Sequence, residues 1–121
     1  AGGKGCLAKG MPMAMQVILR KSANRQLKTV TIQGERLFGT IVAQRLFCAI
    51  DHQIELLAAN PYMGHIEQLL EARRLTYRSL VIHEHFKLIY YIDEKKSILY
   101  IVALWDTRRE PSALVRGIHS K

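Results

Sequence analysis

The side chains best suited to chemistry lie in the second half of the chain. Arg73, Arg74, Arg78, Lys87, Arg108 and Arg109 are cations in or beside apolar stretches, and cations so placed attract an acidic partner. The plainer reading of Arg78 and Lys87 is a solvated sheet face, and that of Arg108 and Arg109 a charged strand end. His83-Glu84-His85 puts two imidazoles two residues apart, on the same side of an extended strand. A metal would need a third ligand, and His52, His65 and Cys48 have no evident reason to converge on that pair. We therefore expect no metal and no other cofactor. Neither GxGxxG nor GxxxxGK[ST] occurs, so nucleotide binding has no support.

The elements that must position these residues follow from composition and period. The chain has 121 residues, 49% hydrophobic and 23% charged, which suits one ordinary domain. The net charge is +8, an excess that favours contact with nucleic acid, an acidic protein or an anionic surface. No apolar run approaches the roughly 20 residues needed to span a bilayer, and the first residues do not read as a signal peptide. Cys6 and Cys48 do not make a disulfide framework, and the expectation is a reduced, cytoplasmic protein. Residues 1–14 are Gly-rich and without period, and read as a flexible tail or a start-site artefact, with Met15 as a native start. Losing Lys4 and Lys9 with that tail lowers the charge by two, to +6. The basic character thus belongs to the fold.

Residues 15–115 read as the domain and 116–121 as a C-terminal tail. Met15 to Arg20 predicts a strand. A helix follows, with Ser22 or Asn24 as its cap and Leu27, Val30, Leu37 and Phe38 on its core side. Gly39-Thr40 breaks it, with Thr40 as the next N-cap. Val42, Leu46, Phe47, Ile50, Ile54 and Leu57 then form one stripe at the 3.6-residue period. Asn60-Pro61 ends that second helix. Pro61 to Arg74 is a connector whose structure stays undecided between a helical turn and a strand.

Three strands come next: Tyr77 to His83, Phe86 to Asp93 and Ser97 to Trp105. In the middle one, Phe86, Leu88, Tyr90 and Ile92 share one face, and Lys87, Ile89 and Tyr91 the other. The last is apolar on both faces and must be central and covered twice. The joining turns are too short for crossovers, so the meander is antiparallel. Pro111 can open a final helical turn. The fold class is α+β in the order β-α-α-β-β-β, a helical hairpin packed on a small, twisted, mainly antiparallel sheet.

Several phrases in this frame form an ordered set. Asn60-Pro61-x-x-Gly64 closes the second helix. Tyr77-Arg78-Ser79-Leu80 opens the meander. His85-Phe86-Lys87-Leu88-Ile89-Tyr90-Tyr91-Ile92-Asp93 and Arg109-Glu110-Pro111 follow. Together they resemble the RelE/ParE superfamily of bacterial toxins over about Met15 to Leu114. The resemblance implies the same element order. It implies the toxin half of a plasmid-stabilising (addiction) operon pair, blocked by a labile, acidic antitoxin in a hetero-oligomer.

One branch of that superfamily cuts messenger RNA on the ribosome, as a metal-free endoribonuclease. Such chemistry needs a base for the 2′-hydroxyl, cations for the phosphorane and an acid for the leaving oxygen. By that resemblance Arg78, Lys87 and Arg108 or Arg109 match its basic positions; apart from the resemblance, His83 or His85 has the chemistry to supply proton transfer. The tyrosine that often follows the last arginine in that branch is missing: Glu110 to Leu114 hold none. That gap favours the other branch, which resembles ParE and poisons DNA gyrase. An inactive interaction domain of the same fold is the third reading. In any of them Arg73, Arg74, Arg78, Lys87, Trp105 and Arg108 are the expected partner contacts, with antitoxin and with gyrase or the ribosome. No membrane contact is expected.

Overall fold

The structure is a computed structural model that describes residues 15–83 and 86–118. The expected N-terminal tail, the end of the C-terminal tail and the Glu84-His85 turn lie outside the described residues. The elements are β1 (Gln16–Leu19), α1 (Lys21–Phe38), α2 (Thr40–Ala59), β2 (His65–Ile66), β3 (Arg78–His83), β4 (Phe86–Asp93), β5 (Ile98–Asp106) and α3 (Pro111–Gly117). The sheet order is β1-β5-β4-β3-β2. β1 runs parallel to β5, and the other pairs are antiparallel. This is the expected α+β architecture. The connector left open by the sequence supplies the two-residue edge strand β2 and a 3-10 turn at Gln68–Leu70.

β5 is an interior strand, between β1 and β4, as its double-faced apolarity requires. On one side of the sheet Leu99, Ile101 and Leu104 pack with Leu88, Tyr90, Ile82 and the helical residues Ala23, Ile50 and Leu57. On the other side Ala103 and Trp105 pack with Ile89, Tyr77, Leu70, Leu114 and Ile118. A bulge makes the alternation work. Ile89 pairs with Ala103, but Tyr90 pairs with Ile101, so Val102 is one residue extra on β5. That insertion moves Ala103 and Trp105 onto the second face. The second core is closed by α3, which starts with Pro at its first turn, where the missing N–H costs nothing. Ile118, just past α3, is buried there, so packing continues beyond residue 115.

The helix boundaries differ in detail from expectation. α1 starts at Lys21, after Arg20, with no side-chain cap. Gly39 at φ 91° joins the helices, a backbone region open mainly to glycine. Thr40 is therefore the first residue of α2, not its cap, and its hydroxyl donates to Glu35. Leu27 and Val30 pack on the core as expected, but Leu37 and Phe38 lie beyond the sheet and are exposed.

The Asn60-Pro61-x-x-Gly64 phrase has a physical role. The buried Tyr90 hydroxyl donates to the carbonyl of Pro61 (2.8 Å) and accepts from the N–H of Gly64 (3.1 Å). A Cβ on residue 64 would stand 2.6 Å from that hydroxyl and 2.7 Å from the Ser79 carbonyl. Only glycine leaves room. Burial also raises the Tyr90 pKa, against the lowering effects of the Gly64 N–H and the Arg78 charge. The hydroxyl therefore stays protonated and keeps its donor.

Two expectations follow. Tyr90→Phe strands a carbonyl and an N–H and should cost about 1–3 kcal/mol, and Ile50→Ala about 2–5 kcal/mol as a core cavity; urea titrations read both. Asp51 on α2 has an oxygen buried without a hydrogen-bond partner, and burial, then the Glu55 charge, raises its pKa. The fold thus binds this proton more tightly than the unfolded chain does, and stability falls as pH rises through the carboxylate range. The stability of Asp51→Asn relative to wild type should grow over that range and level off above it, as thermal melts across pH would show.

Candidate partner-binding groove and strand-end cations

The register of the sheet decides which cations can act together. Arg78 lies opposite Tyr90 and Ile66, on the face that carries α1 and α2. Its Nη1 donates to the Gly64 carbonyl (2.9 Å), and its guanidinium sits 4.9 Å from the centre of the Tyr62 ring. Tyr62 in turn donates from its hydroxyl to Glu94. Arg78 thus holds the Pro61–Gly64 loop on the sheet edge.

Lys87 lies opposite Val81 and Trp105, on the other face. Its Nζ meets Glu67 Oε1 at 2.5 Å, and both side chains are largely buried. Glu67 also accepts from Leu69 N–H at the start of the 3-10 turn. Sequence reasoning missed Glu67, because its partner is twenty positions away and no period links them.

Arg108 and Arg109 follow β5. The Arg108 backbone N–H and Nε donate to Asp106 Oδ1, and Nη2 to Oδ2 (2.9–3.1 Å). The Arg108 side chain is still 63% exposed. That pair orients the guanidinium more than it stabilises the fold. Arg109 covers Trp105, its guanidinium 4.7 Å from the ring centre. Trp105 itself is only 5% exposed, so it serves a surface as the platform under Arg109. Arg73 donates to the carbonyls of Val115 and Ile118 and so ties down the end of α3, whereas Arg74 is exposed.

The structure therefore does not assemble the expected constellation. Arg78 and Lys87 stand on opposite faces of the sheet, and Arg108 with Arg109 at the far end of β5. Arg108 and Arg109 both border one groove, and Arg109, over Trp105, lies on the Lys87 face. His85 lies outside the described residues, and among those described no three His, Cys, Asp or Glu side chains group as metal ligands.

Arg108 and Arg109 do line a feature that sequence reasoning described only in outline. A groove of about 690 Å³ opens between the helical hairpin and the adjoining ends of β4 and β5. Val30, Leu37, Phe38, Val42, Leu46, Phe86 and Leu104 give it an apolar lining, with Arg25, Arg45, Arg108 and Arg109 around them and Asp106 as the one acid. Gln26 accepts from Leu104 N–H (2.8 Å), satisfying a β5 amide beyond the end of β1. The hairpin tip beside the groove exposes Leu37, Phe38 and Ile41. A contiguous apolar surface of this kind marks an interaction site.

Glu67→Ala should cost roughly 1–3 kcal/mol by stranding the Lys87 ammonium. Lys87→Met in the same chain should recover part of that loss. A double-mutant cycle in urea reads the coupling, and strictly additive losses would show that the two side chains do not stabilise each other.

Comparison with known proteins places this geometry. A sequence search of curated proteins finds no match. Among solved structures, the chain is similar to one titled as the chromosomal ParDE toxin–antitoxin system of P. aeruginosa, with TM-score 0.62 and 16% identity, covering 78% of this chain and 97% of that one. It is similar to the RelBE2 toxin–antitoxin complex of Mycobacterium tuberculosis (TM-score 0.51, 19% identity, 77% and 98% covered). It is also similar to a toxin from Helicobacter pylori titled as metal-bound (TM-score 0.53, 15% identity, 78% and 96% covered). These likenesses establish the RelE/ParE fold. A family profile described as the ParE toxin of the type II toxin–antitoxin system, parDE, matches residues 17–111, and over that span the chain belongs to the ParE toxin family.

Proposed function

We propose that this toxin inhibits DNA gyrase by binding it, in the bacterial cytoplasm, and that a cognate acidic antitoxin neutralises it by docking in the hairpin groove. The observation that carries the first half is the dispersal of the cations. Stabilising a phosphorane requires positive groups converging on one small volume. Here Lys87 is paired with Glu67 behind the sheet and Arg78 is bound to a loop carbonyl. An arrangement of this kind suits a surface that recognises a protein better than one that turns over RNA.

The groove supports the second half. An amphipathic segment could bury its apolar side against Leu37, Val42 and Leu46, and its carboxylates would meet Arg25, Arg45, Arg108 and Arg109. The antitoxin complexes among the structural relatives lend the same support to a hetero-oligomer. Loss of the shorter-lived antitoxin would free the toxin in cells that lose the operon, which stabilises the replicon carrying it.

Induction of the toxin in bacteria tests the proposal. Filamentation and DNA damage with messages intact is the expected outcome. Rapid message loss with unaffected supercoiling would instead indicate the ribosome-dependent nuclease. Arg108→Ala should reduce toxicity while circular dichroism stays unchanged. Arg45→Glu should keep toxicity but weaken rescue by the product of an adjacent acidic reading frame, about tenfold or more for a desolvated charge pair.

A further inference from the structure

We infer that the outer face of α1 is a ridge that binds the phosphate backbone of duplex DNA. Lys21, Arg25, Lys28 and Arg36 are spaced by four, three and eight residues. At 3.6 residues per turn all four fall within about 80° of one another around the helix. All four are exposed, and none forms an ion pair among the described residues. The opposite side of the helix, at Ala23, Leu27 and Val30, packs into the core. The ridge therefore points away from the protein on a rigid element. It runs about 22 Å from Lys21 to Arg36, a length over which one DNA strand presents about six phosphates.

The composition of the ridge selects the ligand. Ile32 is the one large apolar side chain along it. A protein partner would need buried apolar or aromatic anchors for affinity, and those available lie in the groove on the flank of α1. A uniformly charged backbone needs only a row of cations. Between duplexes, the B-form major groove is about 12 Å wide and admits a helix, whereas the A-form RNA major groove is too narrow for side chains to read. The ridge stands apart from the gyrase reading and does not depend on it. Only Arg25 borders both ridge and groove.

The full chain, titrated against a short fluorescent DNA duplex at increasing KCl, tests the inference. The logarithm of affinity should fall linearly with that of salt, with a slope of about −3 to −4 for four cations. Lys21→Gln with Lys28→Gln should shift that slope by about two units and weaken binding at every sequence tried. Lys95→Gln with Lys96→Gln, in the β4–β5 turn, removes the same charge from another surface and should leave the slope unchanged. Absence of binding at low salt, or equal effects of the two pairs, would overturn the ridge. Equal or tighter binding of an RNA duplex or of poly-glutamate would overturn its assignment to DNA.

Discussion

Strand β5 is apolar on both faces, and a sheet built around it is stable in water only when both faces are covered. The helical hairpin covers one, and α3 with the 3-10 turn covers the other. The bulge at Val102 lets one strand serve both cores, since it re-aims Ala103 and Trp105 without breaking the pairing with β4. Because both faces are occupied, charged side chains can sit only at strand ends, at sheet edges or beside a buried counter-ion. The polar chemistry of this protein follows from that exclusion. Lys87 needs Glu67, Arg78 sits at the edge, and Arg108 and Arg109 extend past the end of β5.

The Tyr90 hydroxyl links that sheet to the hairpin. It joins the loop after α2 to the middle of β4, and Gly64 allows the close approach. The end of α2 is thereby fixed against the sheet, while the other end of the hairpin extends beyond it. The free end carries the exposed apolar tip and borders the groove. Rigidity at one end of the hairpin and an unfilled apolar surface at the other suit a protein that must present a preformed face to partners.

Much of the fold was legible because strands and helices write different periods. The alternation of Phe86, Leu88, Tyr90 and Ile92 predicted the core face of β4, and the double-faced run after Ser97 predicted a central strand. Two-residue β2 has no period to read, and the bulge at Val102 is invisible without a partner strand. Periodicity reports the side of a helix and not where the sheet beneath it ends, so it points Leu37 and Phe38 to the core although both are exposed. The site was less legible still. Residue type located the cations, but their grouping depends on the parity of register: Arg78 pairs with Tyr90 and Lys87 with Val81, which sends them to opposite faces. Glu67 and the groove arise from contacts between distant segments and leave no local mark.

On the reading proposed above, this toxin acts by occupying a surface rather than by turnover. The most direct measurement is a titration of purified toxin against a fixed amount of gyrase in a supercoiling assay, with a translating ribosome extract run beside it. Binding predicts that inhibition saturates near one toxin per gyrase target while messenger RNA in the extract stays whole. Cleavage of message by toxin far below the ribosome concentration, with supercoiling untouched, would contradict it.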